Sequence, residues 1–227
     1  LQADLAAHAD ADKRAWWESY LKGEAGFRGV PTLDIRRLAR AWWKGHDGDA
    51  LPPTEQLEAC LALVRCPLTE DKLAGMLLLW ERLIPAGRVD WSTAVPRLAE
   101  LYPAGHLADW NSVDWQCVRV LGPLIGSAGE ACARSIAAWV GAAIPWQRRS
   151  ALAAFVDFAP SGAYAELIID TAEQLVVDDE RFAQTGVAWV IRELGAARPG
   201  LTTRFLERHV DDMSPEARKQ AMGRRRR

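Results

Sequence analysis

The sequence has few of the residues that build metal or nucleotide sites. Its four histidines are scattered, and neither they nor the cysteines have metal-ligand spacing. Gly122-Pro123-Leu124-Ile125-Gly126 is typical of a helix end rather than a phosphate-binding loop, and no nucleophile elbow occurs. We therefore expect no metal site and no cofactor. The histidines are His8, His46, His106 and His209.

Cysteines and long apolar runs are also scarce. Four cysteines without motif spacing argue against a disulfide framework, and we expect buried thiols in a reducing compartment. They are Cys60, Cys66, Cys117 and Cys132. Apolar runs such as residues 77–80 are far shorter than the ~20 residues of a membrane span, and no export signal opens the chain. The expectation is a cytoplasmic protein with no membrane partner.

Strand signals are nearly absent, whereas apolar residues recur with helical periodicity between prolines. Ser214-Pro215-Glu216, for example, is typical of a helix start. The pattern predicts helices in antiparallel pairs, each pair about the size of a HEAT or armadillo unit. The predicted pairs are 54–65 with 69–84, 90–101 with 111–124, 129–141 with 145–158, 161–176 with 181–196, and 199–209 with 214–222.

Helix pairs of this kind bury their apolar faces by stacking, which produces a solenoid with one concave face. We therefore predict an all-α, HEAT-like/armadillo-type helical repeat solenoid. It forms a single domain over residues 1–227, in which residues 223–227 are a flexible basic tail. A globular helical bundle is the alternative.

The net charge of −2 is unevenly distributed. Residues 181–227 carry 11 basic and 5 acidic groups, whereas residues 61–180 carry 9 and 15. An earlier basic run is opposed only by Asp34. This run consists of Arg28, Arg36, Arg37, Arg40 and Lys44. A basic face suits phosphate binding, but solvated helix faces explain the same charges equally well.

Tryptophan is unusually abundant, with 11 residues in the chain. Six of them follow apolar helical stripes and are predicted to lie mostly in the core: Trp16, Trp17, Trp42, Trp43, Trp80 and Trp139. Three others stand beside polar or charged residues, which makes them candidates for a site: Trp110, Trp146 and Trp189.

The candidates each have a structural alternative. Trp110 lies four residues before Asp114, which puts both on one helix face; the alternative is that Asp114 caps the helix or pairs locally. Arg148 and Arg149 lie near a helix start, where they are placed to bind an anion; the alternative is that they are surface charges. For Trp189, the spacing alone favours a core residue.

Four segments, in order along the chain, are similar to motifs of the AlkD family of HEAT-like-repeat DNA glycosylases. Trp110-Asn111-Ser112-Val113-Asp114 resembles the family's Trp-Asp-Ser-Val-Asp motif. Tyr20-Leu21-Lys22, with Phe27 and Gly29-Val30-Pro31-Thr32, resembles its Tyr-Met-Lys and Phe-x-Gly-Ile region. Residues 146–151 resemble a Trp-x-x-Arg segment whose arginine is Arg149, and residues 188–193 resemble Gly-Trp-Val-Leu-Arg-Glu.

The chain departs from these motifs at a few positions. Asp109 stands where better-known members have another tryptophan, and Asn111 stands where they have aspartate. Val187-Ala188 replaces an Ile-Gly pair. None of these changes falls on a residue that the family's motifs make catalytic. They affect the expected shape of the groove and the expected lesion preference.

The resemblance implies hydrolysis of the N-glycosidic bond of cationic N3- or N7-alkylated purines during base excision repair. Asp114 would stabilise the cationic sugar and orient or deprotonate water. Trp110 and Trp189 would flank the deoxyribose, and Arg149 would hold a phosphate. These four residues are expected to converge on the concave face. Further DNA contacts are assigned to Arg148, Tyr20 and Lys22.

The family resembled grips the duplex along its concave, DNA-binding face without flipping the base, so bulky adducts can be accepted. The implied partner is double-stranded DNA with alkylated purines, bound by a nucleoid-associated monomer. Housekeeping repair and self-resistance to a genotoxin both remain open. A non-catalytic HEAT-like scaffold that binds DNA structures or protein is the alternative from another class.

Overall fold

A computed structural model describes residues 1–223, which are almost entirely helical and divide after Pro123 into two compact units. The first unit contains α1 (Gln2–Ala7), α2 (Ala11–Tyr20), α3 (Thr32–Gly45), α4 (Pro53–Val64), α5 (Thr69–Leu78), α6 (Trp91–Ala99) and α7 (Trp110–Gln116). They are followed by α8 (Gly122–Ala128), α9 (Glu130–Ala137), α10 (Pro145–Ala153), α11 (Ala165–Leu175), α12 (Arg181–Leu194), α13 (Pro199–His209) and α14 (Pro215–Met222).

The predicted all-α class is confirmed. Within residues 1–223 there is no strand, and Gly26 and Leu68 form only an isolated bridge. Helix α14 starts as predicted, because the Ser214 hydroxyl accepts a hydrogen bond from the Ala217 N–H at 3.2 Å. In the same part of the chain, no helix is long and apolar enough to cross a membrane. The single domain stays a prediction, and the predicted tail lies outside the described residues apart from Gly223.

Two π-turns were not predicted. One, Leu79–Leu83, follows α5, and the other, Cys117–Leu121, joins α7 to α8. The segment that begins at Gly122 therefore lies inside a helical stretch, and its interpretation as a helix end is wrong. Pro123 has no N–H to donate to the preceding turn, and the widened π-turn before it is a place where a helix tolerates that missing bond.

The cysteines largely follow expectation. Cys60, Cys117 and Cys132 are buried, whereas Cys66 is partly exposed. Burial raises the pKa of the Cys132 thiol to about 11, because the apolar surroundings disfavour the thiolate. The buried cysteines therefore act as small apolar side chains.

The loop between α2 and α3 is held by a buried carboxylate. Glu70 Oε1 accepts hydrogen bonds from the N–H groups of Arg28, Gly29 and Val30 at 2.8, 2.8 and 3.3 Å. Gly29 has a φ of +86°, and a Cβ atom there would lie 2.1 Å from the carbonyl oxygen of Asp10. Only glycine permits this close approach.

We expect Gly29→Ala to destabilise the protein much more than Gly23→Ala. Both glycines have positive φ, +86° and +77°, but a Cβ on Gly23 meets nothing within 4 Å. Gly23→Ala should therefore cost only the left-handed backbone penalty, ~1–2 kcal/mol. Gly29→Ala must also displace the backbone of Asp10. Urea unfolding measures both losses, and equal losses would contradict this packing role.

Candidate nucleic-acid interface

Helix α7 begins with an aspartate cap, and that aspartate is Asp109. Its carboxylate accepts a hydrogen bond from the Ser112 N–H at 2.9 Å and is buried. Burial lowers the pKa of the neighbouring Lys72, while the negative charge of Asp109 acts in the opposite direction. The helix cap is therefore Asp109 and not Asp114.

Asp114 lies one turn after Trp110 in α7. The two residues therefore share one face of the helix, as the spacing predicts. Both side chains are partly exposed and border an open cleft of about 300 Å³. The cleft is lined by Trp110, Asn111, Asp114, Trp115, Val118 and Arg119. Because all six belong to one helical stretch, they form a wall beside which a large ligand can lie.

Tyr20, at the end of α2, extends this wall with aromatic surface. Its ring meets that of Trp110 edge-on, with centroids 5.8 Å apart, and stacks on Trp16 at 5.1 Å. Tyr20 and Trp16 are 54% and 58% exposed. Lys22 follows in an exposed left-handed turn, with a φ of 54°. Tyr20 and Trp110, predicted as site residues from separate motifs, are thus neighbours.

The exposure of Trp16 corrects the prediction that the six tryptophans on apolar stripes are mostly core. Only Trp43 and Trp139 are buried, and Trp17, Trp42 and Trp80 are partly exposed. For Trp16 and Trp17 the error arises because α2 has no buried residue at all. Aromatic residues at helical spacing therefore mark an exposed aromatic surface here.

In the second unit, Arg149 on α10 is held against α12. It is 5% exposed, and its Nη1 donates to the Phe182 carbonyl at 2.7 Å. Its guanidinium lies 5.9 Å from the ring centroid of Trp189. A Cβ on Gly186 would come within 3.2 Å of Nη1, so this glycine makes room for the arginine. Arg149 is thus not a surface charge, and partly exposed Trp189 is not a core residue.

Arg148 is engaged within the second unit. Its guanidinium binds Asp178 through Nε and Nη2, at 2.5 and 3.2 Å. Nη1 donates to the carbonyls of Ala142 and Ala143 at 3.1 and 2.9 Å. A phosphate would have to compete with the Asp178 carboxylate for this side chain. Its DNA-binding role stays a prediction, as does the convergence of the four catalytic candidates.

The early basic run is mostly neutralised. Arg28 pairs with Asp71 at 2.9 Å. Glu81 pairs with both Arg36 and Arg40 at 2.6 Å. Arg37 pairs with Asp34 at 3.1 Å. Because Asp71 and Glu81 come from elsewhere in the fold, the run is not the free basic face that its sequence suggests.

Three residues that border or approach the cleft were not identified from sequence: Trp80, Trp115 and Arg119. The Arg119 guanidinium lies 4.3 Å from the centroid of Trp80 and 5.8 Å from that of Trp115. No motif contains Arg119, and Trp80 follows a continuous apolar run that predicts burial. Within residues 1–223, no group of three or more His, Cys, Asp or Glu residues is placed to hold a metal ion.

The geometry can be compared with known proteins. The sequence profile of the family described as DNA alkylation repair enzyme matches residues 1–224. The chain belongs to this family. The solved structure of a predicted DNA alkylation repair enzyme from Enterococcus faecalis is similar, with a TM-score of 0.80 and 19% identity, over 94% of this chain and 95% of that one. A search of curated proteins gives no match.

Membership of the DNA alkylation repair enzyme family assigns the chain a role in repair of alkylated DNA, with DNA as its substrate. The structural likeness concerns the fold and confirms the all-α repeat fold that the resemblance implied.

Proposed function

We propose that the protein is a DNA glycosylase that hydrolyses the N-glycosidic bond of cationic N3- or N7-alkylated purines in duplex DNA. The observation that carries this proposal is the pair of Asp114 and Trp110 on one open wall of α7. Asp109 caps the helix, so capping does not explain the presence of Asp114.

The chemistry suits a carboxylate beside an indole. An alkylated purine already carries a positive charge, so it leaves without a general acid. As the C1′–N bond breaks, its electron pair neutralises the purine and the sugar becomes an oxocarbenium-like cation. The Asp114 carboxylate stabilises that cation and accepts a proton from the water that attacks C1′. The face of Trp110 adds attraction worth ~1–2 kcal/mol when desolvated.

The shape of the cleft supports excision without base flipping. Enzymes that flip a base enclose it in a pocket with walls from several elements. The cleft beside Asp114 is open and is lined by residues 110–119 of one helical stretch, which supports a site that offers the sugar a carboxylate while leaving the base outside. A site of this kind sets no size limit on the alkyl group, and bulky adducts are therefore substrates.

The remaining candidates contact DNA around the lesion. Arg149, oriented by the Phe182 carbonyl, holds a phosphate, and Trp189 presents its indole to a deoxyribose. In the first unit, Tyr20 and Lys22 contact the backbone beside Trp110. Arg148 contributes by exchanging Asp178 for a phosphate.

Asp114→Asn should lower single-turnover excision of a methylated purine by ~10²-fold or more, the scale for one positioned electrostatic or general-base group. The amide keeps the shape and removes the charge that acts in the transition state. Affinity for lesion DNA should change little, because that interaction is made mainly in the transition state. Release of the free base from a duplex, at saturating protein, is the measurement.

Asp109→Asn is the matched control on the same helix, because asparagine is also a good N-cap. It should excise at nearly the parent rate. If a folded Asp114→Asn protein also excises at the parent rate, the role of Asp114 is wrong. If the parent protein binds lesion DNA and releases no base, the non-catalytic scaffold is the correct function.

Duplex affinity should fall steeply with salt despite the net charge of −2, because bound phosphates release counterions. Arg149→Ala should weaken binding to damaged and undamaged duplexes alike, since a phosphate contact carries no base information. Fluorescence anisotropy over a salt series measures both effects. A flat salt dependence, or a loss confined to damaged DNA, would contradict the phosphate contact.

A bulky N7-alkylguanine should be excised within about tenfold of the rate for N7-methylguanine, a difference of ~1.4 kcal/mol in activation free energy. The reason is that the wall of α7 leaves the alkyl group outside. Each catalysed rate is compared with spontaneous release from the same duplex, which corrects for intrinsic lability. Refusal of the bulky adduct would mean that the site encloses the base and would favour housekeeping repair over self-resistance.

A further inference from the structure

Arg119 and Trp80 form a stacked pair built by the two π-turns of the first unit. Trp80 lies in Leu79–Leu83 and Arg119 in Cys117–Leu121. The guanidinium carbon is 4.3 Å from the centroid of the Trp80 ring, and Trp115 flanks it at 5.8 Å. π-turns are rare, cost helical hydrogen-bond regularity and are frequent at functional sites.

Within residues 1–223, Arg119 differs from several other arginines of the first unit in having no counterion. Arg36 and Arg40 share Glu81, and Arg82 pairs with Asp49. In the described part of the chain, the Arg119 guanidinium makes no hydrogen bond and no ion pair, only its two ring contacts. A guanidinium on an indole keeps its planar fork of N–H donors at the edge, held in a fixed orientation. It is therefore prepared for an anion.

The other residues that line the same cleft indicate which anion Arg119 would bind. Arg119 lines the cleft together with Asp114 and Trp110. If Asp114 faces a deoxyribose, as the proposed function requires, a phosphate lies on either side of that sugar. A cationic purine base would be repelled by the guanidinium, whereas a phosphate is bound by it bidentately.

We propose that Arg119, supported by the ring of Trp80, binds a backbone phosphate that flanks the sugar facing Asp114. The position of this contact next to a lesion rests on the proposed function. The binding of a phosphate by Arg119 does not. It exists in the ground state, so Arg119 positions the strand and takes no part in bond cleavage.

The test is binding of an undamaged duplex by Arg119→Gln across a KCl series. Loss of one phosphate contact should lower the slope of log affinity against log salt by about 0.9 and weaken binding about tenfold at low salt. Trp80→Leu keeps the charge and removes its support, so it should weaken binding while largely retaining the slope. Arg134→Gln is the matched control, since Arg134 is exposed and already pairs with Glu130 at 2.7 Å.

Circular dichroism checks that each variant is folded, and Trp80→Met replaces Trp80→Leu if the latter is not. An Arg119→Gln slope equal to the parent slope overturns the proposal, as does a loss that depends on base sequence. Excision is measured on the same proteins. A parent that excises nothing refutes the proposed function while an altered slope still supports the phosphate contact; normal excision with an unchanged slope refutes only the contact.

Discussion

The N-terminal part of the wall depends on one buried carboxylate, that of Glu70. Helix α2 buries none of its residues, so an apolar stripe cannot fix it to the fold. It is held through the loop after it, where Glu70 accepts three backbone N–H groups and Phe27 stacks on Trp17 at 5.5 Å. Without the carboxylate, three backbone donors, two of them buried, would lose their partner at once. The placement of Tyr20 against Trp110 follows from this loop.

Two aspartates, Asp109 and Asp114, lie at or near the start of α7. The sequence alone does not show which of them caps the helix. Both are residue types that cap helices, and both lie within the first turns. Asp109 has extended backbone and receives the Ser112 N–H, which commits it to structure. Asp114 sits inside the helix, where an aspartate is intrinsically unfavourable. The proposed function gives this aspartate a chemical role, whereas the cap of the helix is already supplied by Asp109.

Helices with strong starts and apolar periodicity could be predicted from sequence, as the Ser214 cap and the neighbouring positions of Trp110 and Asp114 illustrate. Arg119 could not. At 100° per residue, an α-helix puts it about half a turn away from Trp110, and only the extra residue in the π-turn shifts it toward the cleft. The ion pairs could not be predicted from the sequence either, because Glu81 neutralises Arg36 and Arg40 from 41 or more positions along the chain.

Charge pairing also explains how a chain with a net charge of −2 can suit DNA. Many of its arginines link elements through carboxylates and so contribute little field at the surface. In the proposed function, the charged groups beside the reacting sugar are then those on the wall of α7. There Asp114 and Arg119 stand five residues apart on one helical stretch. A nucleotide undergoing glycosidic cleavage has the complementary pattern, a sugar that becomes cationic beside a phosphate that stays anionic. In the proposed function, the wall therefore matches the transition state in both signs of charge.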